Sequence, residues 1–245
     1  MPSLDVLQWV VLAVALFLVG FSKTGVSGAG TVGIALFALV LPTRESTGML
    51  LPLLLVGDLA AVVSYRRHAD WPRLVRLFPW VAVGVVIGAG VVRQVDDAQM
   101  RRLLGTILLV IVAVHLWNRR RAPEDSLANH RPVAALAGVL AGFATMTANA
   151  AGPIMSVYLL AAGLPVLGLL GTGAWFFLTV NAFKVPFSVA LGLITPSTMV
   201  FAALGAPVVL AGAAAGRAVI GRIDRTLFER ITLGLTVLAA VRLLL

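Results

Sequence analysis

Three ionisable side chains lie within stretches of sequence that are long and apolar enough to be buried in a membrane. They are Lys23, Lys184 and Asp58, and the two lysines are the only lysines in the chain. A charge near the middle of a bilayer costs about 2.5–3.5 kcal/mol on insertion scales, so such residues are interpreted first as functional groups. Two cations and one acid in this setting predict a protein that holds an anion inside the membrane.

The first lysine lies in a glycine-rich interruption, GFSKTGVSGAG over residues 20–30, within an otherwise apolar stretch. The apolar pieces on either side are at or below the length that crosses a bilayer, which is typical of a broken or re-entrant hairpin. Glycines let a ligand approach backbone N–H groups, and a helix beginning near Val26 would direct its positive end toward an anion. The alternative is an ordinary extramembrane turn with a solvated lysine. The candidate ligands in this stretch are Lys23, Thr24, Gly25, Ser27, Gly28 and Gly30.

A second interruption, GFATMTANAAGP, occurs at residues 142–153. It carries no charge, but Pro153 suits the first turn of a following helix. The apolar segment after it, about 152–163, is too short to span a bilayer. A second half-helix would thus point its N-terminus toward the first. We expect hydrogen bonds from Thr147 and Asn149 and backbone approach at Gly152.

The second lysine belongs to an Asn181-x-x-Lys184-x-Pro186 pattern inside a long apolar run. A separation of three places Asn181 and Lys184 on one helical face, and Pro186 removes a hydrogen bond of the preceding helical turn. The alternative is a lysine that snorkels to the membrane surface. Lys184 is about 15 Å from the far end of its segment at helical rise, which is deep for snorkelling. We therefore expect Asn181 and Lys184 to bind the anion.

Asp58 lies in the middle of its apolar segment. A lone carboxylate at that depth must pair with a cation or take up a proton. It would neutralise a lysine when the site is empty, carry a proton, or cap a broken backbone, and the sequence leaves these roles open. We assign Asp58 to gating or proton coupling.

The composition is that of a polytopic membrane protein. Of the 245 residues, 60% are hydrophobic and 12% are charged, and the mean hydropathy is +1.02, whereas soluble domains carry about 25% charged residues. Ten apolar segments are present, and spanning segments satisfy their own backbone hydrogen bonds as helices. The net charge of +9 comes from arginines in the connections. Membrane orientation explains it, and we expect no nucleic-acid partner.

The two halves of the chain resemble each other. The Gly-Phe pair at residues 20–21 recurs at 142–143, an offset of 122, and a GxxxG pattern that begins at Gly84 recurs at Gly212. Such patterns allow close helix contact. Five segments per half would invert the second half relative to the first, as in many secondary transporters; the alternative is a duplication that serves folding alone. The prediction is an all-α, polytopic membrane protein with two inverted-topology repeats, residues 1–118 and 132–245, a broken hairpin in each, and a linker at 119–131.

The distribution of arginines predicts the orientation of these segments. The loops at residues 66–76, 118–131 and 217–230 each contain four arginines. Short loops rich in Lys and Arg stay in the cytoplasm. The linker at 119–131 is therefore expected to be cytoplasmic, with both chain termini outside.

The remaining polar residues do not suggest an enzyme or a metal site. The histidines, His68, His115 and His130, lack carboxylate neighbours at ligand spacing, and the chain has no cysteine. No nucleophile elbow, phosphate-binding loop or pair of catalytic carboxylates occurs in the sequence. We therefore expect no catalytic residue, no metal and no cofactor.

The glycine-rich run at residues 23–30, the Asn181-x-x-Lys184-x-Pro186 pattern and the two-half layout resemble the TauE/SafE family of sulfite exporters over essentially the whole chain. The chain departs from the family pattern at Ala29, which interrupts the glycines. The resemblance implies a secondary transporter that exports sulfite, thiosulfate or a sulfonate across the bacterial inner membrane. Its partners would be a small anion and the lipid bilayer, and a homodimer is left open. The alternatives are an anion channel and a non-transporting membrane enzyme or scaffold.

Overall fold

The computed structural model describes residues 5–26, 28–41, 43–91 and 130–244, together with scattered positions from 99 to 116. Within these residues all regular secondary structure is helical and no strand occurs, as predicted. The candidate ligand Ser27 lies outside the described residues, as does the predicted linker except for its last two positions. The limits of the two predicted repeats therefore stay predictions.

Nine α-helices have defined bounds within the described ranges, and a short 3₁₀ turn at Arg66–His68 joins the third to the fourth. The helices are α1 (Val6–Thr24), α2 (Gly28–Val40), α3 (Thr43–Tyr65), α4 (Trp71–Val91), α5 (Arg131–Ala148), α6 (Ala151–Ala161), α7 (Val166–Ala190), α8 (Pro196–Ile220) and α9 (Arg225–Leu244).

Six of these helices are long and apolar enough to cross a membrane: α1, α3, α4, α5, α7 and α8. Large apolar side chains on their outer faces are exposed, including Val75 at 69% and Leu204 at 65%. Contiguous apolar surface of this kind is unfavourable in water and is covered by lipid in a bilayer. The chain is a multi-pass membrane protein.

The second and sixth helices are too short to cross. With 13 and 11 residues, α2 and α6 are about 20 Å and 16 Å long at helical rise, whereas the hydrocarbon core is about 30 Å thick. Both follow helix breaks that the sequence predicted. The first break separates Thr24 from Gly28, where α2 begins two residues later than expected, and the second separates Ala148 from Ala151.

Local geometry explains where the two breaks occur. Gly25 ends α1 by donating its N–H to the Phe21 carbonyl at 2.8 Å, and a Cβ atom there would lie 3.2 Å from Gly216 Cα, so the backbones approach closely. Asn149 ends α5 in the left-handed conformation, with φ 53° and ψ 25°. Asparagine tolerates this conformation better than most residues. Its N–H donates to the Thr145 carbonyl at 3.1 Å.

Glycines bring α1 against α8 and α4 against α5. A Cβ atom added to Gly20 in α1 would overlap the Val209 carbonyl oxygen of α8. In the same way, a Cβ atom added to Gly142 in α5 would overlap the Val81 carbonyl oxygen of α4. Backbone contact of this kind requires small residues at the interface.

At both interfaces the partner helix also contributes a glycine that contacts a backbone carbonyl of the first helix. Gly212 in α8 meets the Phe17 carbonyl of α1, and Gly84 in α4 meets the Val139 carbonyl of α5. The close helix contact predicted from the GxxxG patterns is thus confirmed. Between the two pairs, α3 packs against α7. The centre of the structure is formed where α3 and α7 meet the two helix breaks.

Candidate functional site

A buried ion pair joins the end of α1 to the middle of α3. Lys23 Nζ lies 2.7 Å from Asp58 Oδ1, and the two side chains are 9% and 0% exposed. Gly57 makes room for this contact, because a Cβ atom there would lie 3.0 Å from Lys23 Cγ. Of the roles considered for Asp58, the neutralisation of a lysine is the one seen in this conformation.

The ion pair leaves donors of Lys23 unused. At 2.7 Å, Lys23 Nζ and Asp58 Oδ1 are within hydrogen-bond distance, and this contact engages one N–H of the ammonium. An ammonium group carries three N–H donors. Within the described part of the chain, the Asp58 carboxylate is the polar group in contact with the Lys23 ammonium, and the Phe177 ring makes a cation–π contact with it. The ammonium therefore has its charge compensated but retains N–H groups for another acceptor.

Asn181 extends the ion pair to α7. Its Nδ2 atom donates to Asp58 Oδ2 at 2.6 Å, and its side chain is buried. Each oxygen of Asp58 therefore faces a different helix, Oδ1 toward α1 and Oδ2 toward α7. This arrangement fixes the carboxylate at the point where α1, α3 and α7 meet.

Lys184 is one turn further along α7 and is fully buried, with 1% of its surface exposed. Its Nζ atom lies 2.6 Å from Asn149 Oδ1, 3.1 Å from Thr145 Oγ1 and 3.4 Å from Asn181 Oδ1. Three oxygen neighbours match the three N–H donors of a charged ammonium. Lys184 thus connects α7 to the break between α5 and α6.

A cavity of about 40 Å³ lies beside this network. Both breaks reach it, through Gly30 in the first turn of α2 and Gly152 in the first turn of α6. Backbone N–H groups in a first helical turn lack helical partners and carry partial positive charge. The polar side chains that line the cavity are Ser22, Lys23, Thr31, Thr145, Asn149 and Asn181.

A second, smaller cavity of about 20 Å³ shares Ser22, Lys23 and Phe177 with the first. The remainder of its lining is mostly apolar, from residues such as Met155 and Leu170. Lys23 Nζ lies 4.6 Å from the centre of the Phe177 ring, a cation–π distance. Lys23 and Phe177 therefore form the boundary between a polar cavity and an apolar one.

Two hydroxyl residues expected at the site bond elsewhere. Thr24 Oγ1 donates to the Ala213 carbonyl at 2.5 Å, and the Thr24 carbonyl accepts from the Tyr65 hydroxyl at 2.7 Å. Thr147 Oγ1 donates to the Phe143 carbonyl of its own helix at 2.9 Å. Neither side chain lines the cavity.

The four candidate glycines also fall into two groups, those that line the cavity and those that do not. Gly30 and Gly152 line the cavity, whereas a Cβ atom on Gly25 would meet the backbone of Gly216 and one on Gly28 would meet Leu235. Gly25 and Gly28 therefore serve helix packing in this conformation. The structure brings seven of the predicted residues into one connected region: Lys23, Gly30, Asp58, Asn149, Gly152, Asn181 and Lys184.

Thr145, Ser22 and Phe177 line the cavity but were not selected from the sequence. A signal for Thr145 was present, because it lies 122 residues after Lys23, the offset that relates the two Gly-Phe pairs. No sequence signal distinguishes Ser22 or Phe177 from the residues around them.

The comparisons with known proteins agree with the resemblance noted in the sequence. A family model described as "Sulfite exporter TauE/SafE" matches residues 12–243, nearly the whole chain. No curated protein and no solved structure is significantly similar to it.

Proposed function

Because the chain belongs to the TauE/SafE sulfite exporter family of membrane transporters, we propose that it is a secondary transporter that exports small sulfur oxyanions across the bacterial inner membrane. The candidate substrates are sulfite, thiosulfate and small sulfonates. The observation that carries the proposal is Lys23 at the wall of the polar cavity. Its ammonium is paired with Asp58 at 2.7 Å, a contact that engages one of its three N–H groups. An oxyanion in the cavity would accept from the other two.

The surrounding residues support anion binding. Asn149, Asn181, Gly30 and Gly152 line the cavity, and side-chain amides and the backbone N–H groups of a first helical turn are donors of the kind that an oxyanion accepts from. Helix N-termini favour negative charge. Lys184 acts through the amide oxygens of Asn149 and Asn181, which it holds in place. Ser27, which lies outside the described residues, stays a proposed ligand beside the first break.

The reciprocal glycine contacts support the proposal of two inverted repeats. Gly20 and Gly142, which match in sequence, each meet a carbonyl of the helix that belongs to the other half, as do Gly84 and Gly212. Two-fold related halves would exchange their helix contacts in this way. In inverted-repeat transporters the substrate lies between the repeats and access alternates when one half moves against the other. The proposed halves are residues 1–118 and 132–245, joined by a cytoplasmic linker at 119–131.

Export of an anion needs no coupled energy source. One negative charge that leaves a cell at about 100 mV, inside negative, gains about 2.3 kcal/mol. That free energy sustains an anion gradient of roughly fifty-fold. We assign Asp58 to proton coupling or gating. An anion that binds to Lys23 would weaken the Lys23–Asp58 ion pair, and a carboxylate with a weaker partner takes up a proton more readily.

A carrier is favoured over an anion channel and over a scaffold. The two cavities beside Lys23, about 40 Å³ and 20 Å³, have volumes in the range of a small ion, which supports a carrier. Phe177 lines both cavities, so its side chain is a candidate gate between them. A scaffold would have no need for two buried lysines and a buried carboxylate, because such charges are expensive in a membrane.

The proposal is tested by sulfite efflux from proteoliposomes that contain the purified protein. The double variant Lys23→Gln/Asp58→Asn removes the ammonium without leaving an unpaired carboxylate, and we expect it to lower flux at least about ten-fold, the loss of roughly 1.4 kcal/mol of binding. The control, Arg66→Gln, removes a positive charge from the exposed turn between α3 and α4 and should retain flux. Wild-type flux in the double variant would refute the proposed role of Lys23.

Saturation distinguishes a carrier from a channel in the same vesicles. A carrier shows flux that saturates with sulfite concentration and is stimulated by sulfite on the opposite side. Linear flux without such counter-transport would favour a channel, and the absence of anion flux altogether would favour a scaffold.

A further inference from the structure

We propose that the site accepts a singly charged anion in preference to a doubly charged one, and that Asp58 sets this preference. The inference rests on the proposed function, because it assumes that the polar cavity beside Lys23 is the anion site. It goes beyond that function by assigning the charge of the substrate, a property on which sulfite, thiosulfate and the sulfonates differ.

The first step is the formal charge of the network. The ion pair and hydrogen bonds that run from Lys23 to Lys184 include three ionisable groups, namely Lys23, Asp58 and Lys184. Two ammonium groups and one carboxylate give a net charge of at most +1, because Asp58 offsets one lysine. A bound dianion would therefore leave at least one negative charge uncompensated, and always one more than a monoanion leaves.

The hydrogen bonds of Lys184 set the upper limit of this charge. Two of its three oxygen partners are side-chain amide oxygens, of Asn149 and Asn181, and an amide oxygen accepts hydrogen bonds but never donates them. The third partner is the Thr145 hydroxyl, which can donate or accept. An ammonium group donates to all three oxygens and gives the site a charge of +1. A neutral amine donates to the two amides, accepts from the hydroxyl and gives the site no net charge, and a dianion then leaves a still larger uncompensated charge.

Helix dipoles do not change this charge balance. The N-termini of α2 and α6 lie at the two breaks, and each carries partial positive charge. The C-termini of α1 and α5 lie at the same two breaks and carry partial negative charge of similar size. The helix ends provide local donors and acceptors, while the net charge depends on the three ionisable side chains.

The burial of these side chains raises the free-energy cost of any uncompensated charge at the site. Asp58 is 0% exposed and Lys184 is 1% exposed. An uncompensated charge at such a position costs several kcal/mol even after relaxation, because water cannot reach it. The second charge of a dianion would face the Asp58 carboxylate, which Lys23 and Asn181 hold in place. Asp58 therefore acts as a built-in counter-anion, and the site can compensate at most one further negative charge.

The test compares two tetrahedral probes of similar size on the purified full-length protein. Methanesulfonate carries one negative charge and sulfate carries two at neutral pH. We expect wild-type protein to bind methanesulfonate at least about ten-fold more tightly than sulfate. A ten-fold difference in affinity corresponds to about 1.4 kcal/mol, and the free-energy cost of one buried, uncompensated charge is larger than that. In Asp58→Asn the site gains one unit of positive charge, so the preference should shrink by about ten-fold or more, or invert, as sulfate gains affinity.

Two further variants separate charge from shape. Asp58→Glu keeps the negative charge and should retain the preference for methanesulfonate. Asp224→Asn removes a carboxylate from the exposed N-cap of α9, where asparagine also caps well, and should change neither affinity. Size-exclusion profiles and thermal unfolding establish that each variant is folded. Should Asp58→Asn not fold, the wild-type ratio of affinities still decides the charge preference.

Several outcomes overturn the inference. Equal or tighter binding of sulfate by the wild-type protein refutes the charge preference. An unchanged preference in folded Asp58→Asn refutes the role of Asp58. If neither probe binds while sulfite flux persists, the inference fails alone. If no sulfur anion is bound or carried, the proposed function fails with it.

Discussion

Lys184 Nζ donates a 2.6 Å hydrogen bond to Asn149 Oδ1, and Asn149 is the residue whose left-handed backbone ends α5. One contact therefore joins a buried charge to the geometry of a helix break. The amide that meets the ammonium also lines the polar cavity. Lys184 is thus a positioning residue, which shapes one wall of the cavity through Asn149 and Asn181, whereas Lys23 reaches the cavity itself.

We expect Lys184→Met to destabilise the protein as well as to reduce flux. The substitution keeps an unbranched side chain of similar length but leaves the oxygens of Thr145, Asn149 and Asn181 without their donor. An unsatisfied buried polar group costs about 1–3 kcal/mol. Thermal unfolding in detergent should show a clear loss of stability. Arg66→Met, which removes a charge from an exposed turn, serves as the control. Wild-type stability together with wild-type flux in Lys184→Met would contradict the positioning role.

Substitutions of Asn149 separate its backbone from its side chain. Asn149→Gly keeps the left-handed conformation but removes the amide, whereas Asn149→Ala loses both. The left-handed conformation costs alanine roughly 1–2 kcal/mol, so Asn149→Ala should unfold at lower temperature than Asn149→Gly. Both variants should lose anion affinity, because both remove the amide from the cavity. Equal unfolding temperatures would show that the backbone conformation has no part in stability.

Much of the helical architecture is predictable from the sequence. Both helix breaks occur where glycine, asparagine and short apolar segments indicated them, because a helix of 11 or 13 residues cannot cross the hydrocarbon core. The burial of Asp58 and Lys184 also follows from their position within long apolar runs. These features depend on local composition and segment length, which a sequence displays directly.

The partners of the polar side chains are less predictable. Thr147 satisfies its hydroxyl with the Phe143 carbonyl one turn earlier, a choice that serine and threonine often make inside helices. Thr145, two residues before it, instead turns toward Lys184. Which of two nearby hydroxyls reaches the site depends on helix rotation and on packing between distant segments. The pairing of Lys23 with Asp58 likewise requires the tertiary arrangement of α1 and α3.

The Lys23–Asp58 pair should give a large coupling free energy in a double-mutant cycle. Lys23→Gln alone leaves a fully buried carboxylate unpaired, which typically costs 3–5 kcal/mol, about the range for breaking a buried pair. Adding Asp58→Asn should restore most of that stability, because the second change removes the stranded charge. The measurement is unfolding of the wild type, both single variants and the double variant under one set of conditions.

A second ion pair provides the matched control for that cycle. Arg73 Nε lies 3.1 Å from Asp70 Oδ2 at the start of α4, where the side chains are 17% and 26% exposed. The cycle of Arg73→Gln with Asp70→Asn should give at most about 1 kcal/mol, because solvent reaches this pair and screens it. Similar coupling for the two pairs would mean that Asp58 and Lys23 are better hydrated than their burial implies.

Glycine-to-alanine substitutions test the packing that holds the two halves together. Gly20→Ala would drive a methyl group into the Val209 carbonyl of α8, and the matching Gly142→Ala would do the same at Val81 of α4. Neither contact is with a flexible side chain, so the helices must separate, at a cost of about 1–3 kcal/mol for each substitution.

Gly90→Ala is the control, because its Cβ would enter open space on α4. There alanine should be neutral or stabilise the helix by up to about 1 kcal/mol. Unfolding temperatures that fall by similar amounts in Gly20→Ala and Gly142→Ala, but not in Gly90→Ala, are expected if the two interfaces are equivalent. A loss confined to one of the two would mean that the halves carry unequal shares of the stability.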